Sequence, residues 1–210
     1  MGLITQITEQ KKNKKRRNIF VDGEYYCSLD IETIVKHGIE QGMTCSAEFF
    51  DEILQEDEYK KAMDIALKML SYSKLKAEVE KKLSDAGFTP KVADRVLEKL
   101  EEWRYVDDEA YIRCSIRAKL RAGKSLNETR HALLQKGAPK ELLQSLLHEY
   151  EGLECESARL YMRKKLKTPA SKEDTLRIRR NMYAKGFPTD VIRQALEEAM
   201  GIDAEEGFSE

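Results

Sequence analysis

Two rows of cations are the residues of this chain whose spacing suggests chemistry. Arg113, Arg117 and Arg121 recur at every fourth position, as do Arg159, Arg163 and Lys167. On a helix that spacing sets each trio along one face. Like charges so placed repel by roughly a few tenths of a kcal/mol per pair, so an unpaired row invites an anionic partner: phosphates, or carboxylates on a protein. Lys164, Lys165, Arg177, Arg179 and Arg180 thicken the patch around the second row. A further run, Lys11-Lys12-Asn13-Lys14-Lys15-Arg16-Arg17, suits contact with a nucleic-acid backbone through Lys14, Lys15, Arg16 and Arg17. It suits equally a loop between strands.

The groups needed for catalysis do not assemble. His37, His131 and His148 are scattered, and no phosphate loop, dinucleotide fingerprint or nucleophile elbow is present. Asp107-Asp108 directly precedes an apolar-periodic stretch, where helix capping explains it. Cys27, Cys45, Cys114 and Cys155 stand alone, without metal-site spacing. No catalytic residue, metal, cofactor or small-molecule substrate is therefore expected, and the chain does not read as an enzyme. Tyr161 and Tyr183 read as core residues, and no motif supports sequence-specific base readout.

The elements that must carry the cations announce themselves as a repeat. Leu83-Ser84-Asp85-Ala86-Gly87-Phe88-Thr89-Pro90, Leu133-Leu134-Gln135-Lys136-Gly137-Ala138-Pro139 and Met182-Tyr183-Ala184-Lys185-Gly186-Phe187-Pro188 follow one another with glycines 50 and 49 residues apart. Such a period marks a repeat architecture. Glycine past an apolar stretch supplies a left-handed helix end, and proline shortly after fits the first turn of the next helix. Apolar pairs five and six, then nine and ten, residues beyond each glycine form one stripe of that second helix: Val92/Ala93 and Val96/Leu97, Leu142/Leu143 and Leu146/Leu147, Val191/Ile192 and Ala195/Leu196.

Another helix precedes each corner unit: Glu58 to Leu70, about Asp108 to Ala122, and one starting near Glu156. Ser125 with Glu128 and Ser171 with Asp174 read as capping boxes, Ser73 and Thr89 as N-caps. Three helices in roughly 48 residues bury too little core alone, since a module below ~70 residues seldom gains more than a few kcal/mol. Stacking is therefore expected, as an elongated curved solenoid of three tandem three-helix repeats, with Gly87, Gly137 and Gly186 as structural corners. The front differs. Asp22-Gly23 between two β-rich runs predicts a hairpin, Leu3–Thr8 adds a third strand, and Asp30 to His37 predicts a short helix ended by Gly38. A linking helix from about Ser46 to Gln55 leads into the first repeat and can merge with its first helix.

The expected organisation is thus an N-terminal β extension over 1–43, a linking helix and repeat 1 over 44–105, repeat 2 over 106–152, repeat 3 over 153–200, and an acidic tail over 201–210. No stretch approaches the roughly 18 apolar residues of a membrane span. The short apolar stretch at the N-terminus precedes the basic run, the reverse of a signal peptide, so a cytoplasmic location is the expectation. The net charge of −1 hides a separation of sign: 17 acids against 11 bases over 46–109, 11 bases against 3 acids over 158–196. Such segregation points to a partner of mixed or opposing charge.

The segment Val106-Asp107-Asp108-Glu109-Ala110-Tyr111, then Gly123-Lys124-Ser125-Leu126 and Leu134-Gln135-Lys136-Gly137, resembles the central signature of RecX regulatory proteins. The family has leucine where Val106 stands, and often Phe-Ala where this chain has Ala110-Tyr111. The resemblance covers 58–200 well and the front more loosely. It implies a monomeric, non-catalytic modulator of the RecA recombinase. Such a protein lies in the groove of the RecA filament on single-stranded DNA and limits filament growth, ATPase, strand exchange and repressor cleavage in DNA repair and the SOS response. Arg113, Arg117, Arg121, Lys124, Arg159, Arg163, Lys164, Lys167, Arg177 and Arg180 would then be the contact cations, with weak affinity for bare DNA. A free-standing, non-sequence-specific DNA-binding helical protein is the alternative reading.

Overall fold

Asp22 and Gly23 both take positive φ, 51° and 90°, the turn whose twist matches right-handed strands. The runs beside them become β2 (Arg16–Val21) and β3 (Glu24–Asp30). The computed structural model, which describes residues 1–11, 13–165 and 172–200, adds β1 (Gly2–Glu9) and β4 (Thr44–Cys45). At two residues β4 is too short to leave a periodic signal in the sequence. The four strands are antiparallel in the order β3-β2-β1-β4.

Asp30 accepts the Glu32 N–H at 2.9 Å and starts α1 (Ile31–Lys36). Ser46 accepts the Phe49 N–H at 3.2 Å and starts α2 (Ala47–Met69), so the linking helix and the first helix of the first repeat are one element. Phe50 and Ile53 of α2 close a core with Ile4, Ile19, Cys27, Leu29, Ile39 and Cys45. The remaining helices are α3 (Lys76–Asp85), α4 (Pro90–Glu102), α5 (Asp108–Arg121), α6 (Leu126–Gln135), α7 (Lys140–His148), α8 (Glu154–Lys165), α9 (Lys172–Ala184) and α10 (Thr189–Met200). A single 3-10 turn, Glu151–Leu153, precedes α8. Helices therefore dominate, with a small N-terminal sheet. No helix among the described residues is long and apolar enough to cross a membrane.

Residues Met1–Tyr72 with Val79–Trp103 form one compact unit, and Ser73–Glu78 with the chain from Arg104 onward form another. The first holds the sheet, α2 and α4. The second holds two clusters: Ile112, Ile116, Leu133, Leu143 and Leu146 between α5, α6 and α7, and Ala158, Met162, Ile178, Met182 and Ile192 between α8, α9 and α10.

The three corner phrases share one backbone. Gly87, Gly137 and Gly186 take φ of 87°, 88° and 78°. In each, the glycine N–H and the next residue's N–H return to the preceding helix: Phe88 N to Leu83 O at 3.2 Å, Ala138 N to Leu133 O at 3.0 Å, Phe187 N to Met182 O at 3.1 Å. These bonds satisfy the orphan carbonyls of the helix end. The apolar pairs after each glycine are buried or half-buried.

Several local expectations need correction. Thr89 has N-cap backbone geometry, but its side chain makes no cap bond. Pro139 lies one residue before α7 rather than within its first turn. Ser73 does not start α3. That helix begins beyond the fully buried Leu75, whose N–H donates to Glu78 Oε2 at 3.2 Å. Tyr161 is buried as expected, but Tyr183 is 43% exposed, its ring facing Arg179 at 6.0 Å. Ser171, Lys167 and the tail over 201–210 lie outside the described residues.

Candidate partner-binding surface

Asp107 Oδ1 accepts the Ala110 N–H at 2.9 Å and begins α5, which carries Arg113, Arg117 and Arg121. Burial of Ile112, Ile116 and Leu120 turns the intervening face inward, so the arginines lie along the outer side. The row is not free, as the spacing alone suggests. Arg113 donates from Nη1 and Nη2 to Glu149, just past α7, at 2.6 and 3.0 Å, and from Nε to Glu109 at 2.9 Å. The bond from Arg113 holds the Glu149 carboxyl below its ordinary range, and Glu149 in turn raises the guanidinium. Arg117 donates from Nε to the Tyr150 hydroxyl at 3.0 Å. Arg121 is exposed and pairs with no acid among the described residues.

The second row repeats this arrangement on α8. Arg159 donates from Nη2 to Glu198 of α10 at 2.5 Å and from Nη1 to Glu156 at 3.2 Å. Arg163 is exposed, with no acid partner among the described residues. Lys164 donates to the Ala122 carbonyl at 3.1 Å, beside Arg121. Lys124 donates to Glu128 at 2.5 Å and Arg177 to Asp174 at 2.6 Å. Arg180 is exposed on α9.

Glu149 and Glu198 are the residues that the sequence reading misses. A signal was there: each lies 12 positions beyond its corner glycine (137 to 149, 186 to 198).

The basic N-terminal run divides in two. Arg16 is not a surface contact. It is 9% exposed and donates to Asp57 Oδ2 at 2.9 Å, while Asp57 is 1% exposed. Lys61 at 2.8 Å and the Asp30 N–H at 2.9 Å complete the shell of Asp57. Burial penalises that carboxylate. The bonds from Arg16, Lys61 and Asp30 outweigh the penalty and hold the group below its ordinary range. Arg17 donates to Glu9 at 2.8 Å. Lys14 and Lys15 are exposed.

Matching contacts recur at the starts of the two helices that carry the rows. Asp108 Oδ1 accepts the Lys76 N–H at the start of α3 at 2.8 Å. Glu154 Oε1 accepts the Leu126 N–H at the start of α6 at 2.7 Å. These two acids are 46 residues apart, as are Arg113 and Arg159. A Cβ on Gly137 would lie 2.6 Å from Ala77 Cβ, and one on Gly186 would lie 2.9 Å from Asn127 Cβ. Ala77 and Asn127 are each the second residue of their helix. Ser157 Oγ donates to Lys124 O at 2.7 Å.

The front of the chain, residues 2–46, matches the RecX N-terminal domain of regulatory proteins. The regulatory protein RecX of Clostridium acetobutylicum is 30% identical, over 93% of this chain and 95% of that one. The chain belongs to the RecX family. The RecX of Clostridium botulinum strain Eklund 17B is 29% identical over 97% of this chain and 99% of its own length. A crystal structure of regulatory protein RecX covers 93% of this chain with a TM-score of 0.65 at 22% identity, which shows a shared fold. The signature Asp107-Asp108 that carries the RecX resemblance does capping work at both positions, one within α5 and one across to α3.

Proposed function

We propose that this protein regulates the RecA recombinase by binding the RecA filament on single-stranded DNA along its groove, and that its net effect is to inhibit filament growth, ATPase and coprotease activity. Membership of the RecX family, described as regulatory proteins, carries the reading. Cations without acid partners on α5, α8 and α9 support it, because anions of a protein or of DNA would complete them: Arg121, Arg163 and Arg180. In this reading Arg113 and Arg159 brace the surface rather than make the contact, and Lys14 and Lys15 form a separate contact with DNA. The protein acts in the cytoplasm, as a monomer and without a cofactor, in DNA repair and the SOS response.

The same cations suit a free-standing DNA-binding protein. Co-sedimentation with purified RecA, ATP and single-stranded DNA, with DNA-only controls, separates the two. Strong pelleting with filaments and weak affinity for bare DNA support the regulator. Equal affinity for bare DNA, falling steeply with salt, supports the alternative.

A further inference from the structure

Between α5 and α8 lies a groove of about 270 Å³. Its floor is aliphatic: Leu120 of α5, Leu160 of α8 and Leu153 of the 3-10 turn. Leu153 is 55% exposed, an apolar side chain left open to solvent. The one hydroxyl in the lining, Ser157, already donates to Lys124 O at 2.7 Å. The floor therefore presents no polar group in need of a partner.

The rim is charged and lopsided. Arg117 and Arg121 stand one turn apart on the α5 side. Arg117 donates to the Tyr150 hydroxyl, and neither it nor Arg121 pairs with an acid among the described residues. The one acid in the lining, Glu156, is already engaged by Arg159 at 3.2 Å.

From this geometry we infer that the groove is a docking site for a protein segment in which an aliphatic side chain is flanked by carboxylates. The inference rests on the regulatory reading above and names the chemistry of the partner segment it would meet. The volume lies below the roughly 300 Å³ at which small-molecule sites begin, but it accommodates an inserted side chain. A nucleotide suits it less. Leucines offer no ring for a base to stack on, and the floor has no donor or acceptor to read a base edge. An aliphatic anchor in an apolar groove, flanked on one side by arginines that meet carboxylates, has the makeup of an interface hot spot.

The test uses the full chain. Leu153→Glu and Arg121→Glu each alter an exposed position and leave the cores untouched. Leu153→Ser is a milder change at the same place should the charge disturb folding. Lys91→Glu, exposed on α4, is the charge-matched control. Binding is measured to RecA filaments on single-stranded DNA and to a bare 60-nucleotide strand. The groove variants should lose tenfold or more in filament affinity. Leu153→Glu and Leu153→Ser should keep the wild-type affinity for the bare strand, and the control should match wild type on both. Filament binding within twofold of wild type for the groove variants would overturn the inference and leave the regulatory reading standing. Equal losses on filament and bare strand would assign the groove to nucleic acid instead. A wild-type protein that does not bind filaments at all would remove the reading and this inference together.

Discussion

Glu154 Oε1 accepts the backbone N–H of Leu126 at 2.7 Å, and the carboxyl that does so is 4% exposed. An acid at the start of α8 thus caps α6 across 28 residues, as Asp108 at the start of α5 caps α3 across 32. Burial pushes the Glu154 carboxyl up, with the Leu126 N–H pulling it partly back.

A group raised in the folded state favours folding most below its unfolded value, and that contribution is lost as pH rises through the folded value. Glu154→Gln keeps an acceptor for Leu126 and never charges. Its stability relative to wild type should therefore climb as pH rises through and above the ordinary glutamate range. Glu154→Ala strands the Leu126 N–H and should cost about 1–3 kcal/mol. Urea unfolding across pH 4 to 8 reads both. A pH-independent difference between Glu154→Gln and wild type would show that the carboxyl is not raised.

The corner glycines should not be equal under substitution. Each has positive φ, so alanine costs roughly 1–2 kcal/mol at any of them. A Cβ at Gly87 would meet nothing within 4 Å, whereas one at Gly137 would press on Ala77 Cβ at 2.6 Å. At Gly186 the closest atom is the movable Asn127 amide, with Asn127 Cβ behind it at 2.9 Å. The expected order of loss is Gly137→Ala, then Gly186→Ala, then Gly87→Ala. Combining Gly137→Ala with Ala77→Gly should recover the excess. Equal losses at all three would mean that strain alone governs them.

That asymmetry marks where sequence reading stops. The corners were legible because a left-handed helix end is a local matter, decided by Gly and its immediate neighbours. The helix boundaries around Asp108 and Ser125 were legible for the same reason. What Gly137 meets was not, since Ala77 lies sixty positions away. The arginine rows were visible as rows, and Glu109 and Glu156 lie within one turn of Arg113 and Arg159, but Glu149, just past α7, and Glu198 of α10 come from elsewhere in the chain, so spacing along α5 or α8 alone could not show those pairings. Arg16 reads as one more cation in a basic run. It is buried because Asp57 lies on a helix that packs against the sheet, a pairing that no local pattern announces.

Arg16 and Asp57 give a second pH-dependent pair of opposite sign. The Asp57 carboxyl is depressed when folded. Its contribution is therefore present above the ordinary aspartate range and is lost as pH falls through the folded value. Asp57→Ala leaves Arg16 buried without its counter-charge and should cost about 3–5 kcal/mol. The double change Arg16→Met with Asp57→Leu should cost less than the sum of its singles, because no lone charge remains. Chemical denaturation of the four proteins closes the cycle. Additive losses would show that the two side chains do not depend on each other.

Arg113 and Arg121 share one helix face yet should behave differently. Arg113 is held by Glu149 and Glu109, so Arg113→Glu sets three carboxylates together and should lower the melting temperature. Arg121 and Arg163 are exposed without acid partners among the described residues, so charge reversal there should leave melting within a degree or two. In binding to RecA filaments the order should invert. Arg121→Glu and Arg163→Glu should weaken it tenfold or more, and Arg113→Ala, compared at equal folded fraction, by no more than about twofold. Paired melting and filament-binding curves on the same preparations decide the matter. If Arg113→Ala loses as much binding as Arg121→Glu while remaining folded, then Arg113 leaves Glu149 to meet the partner and the bracing role assigned to it is wrong.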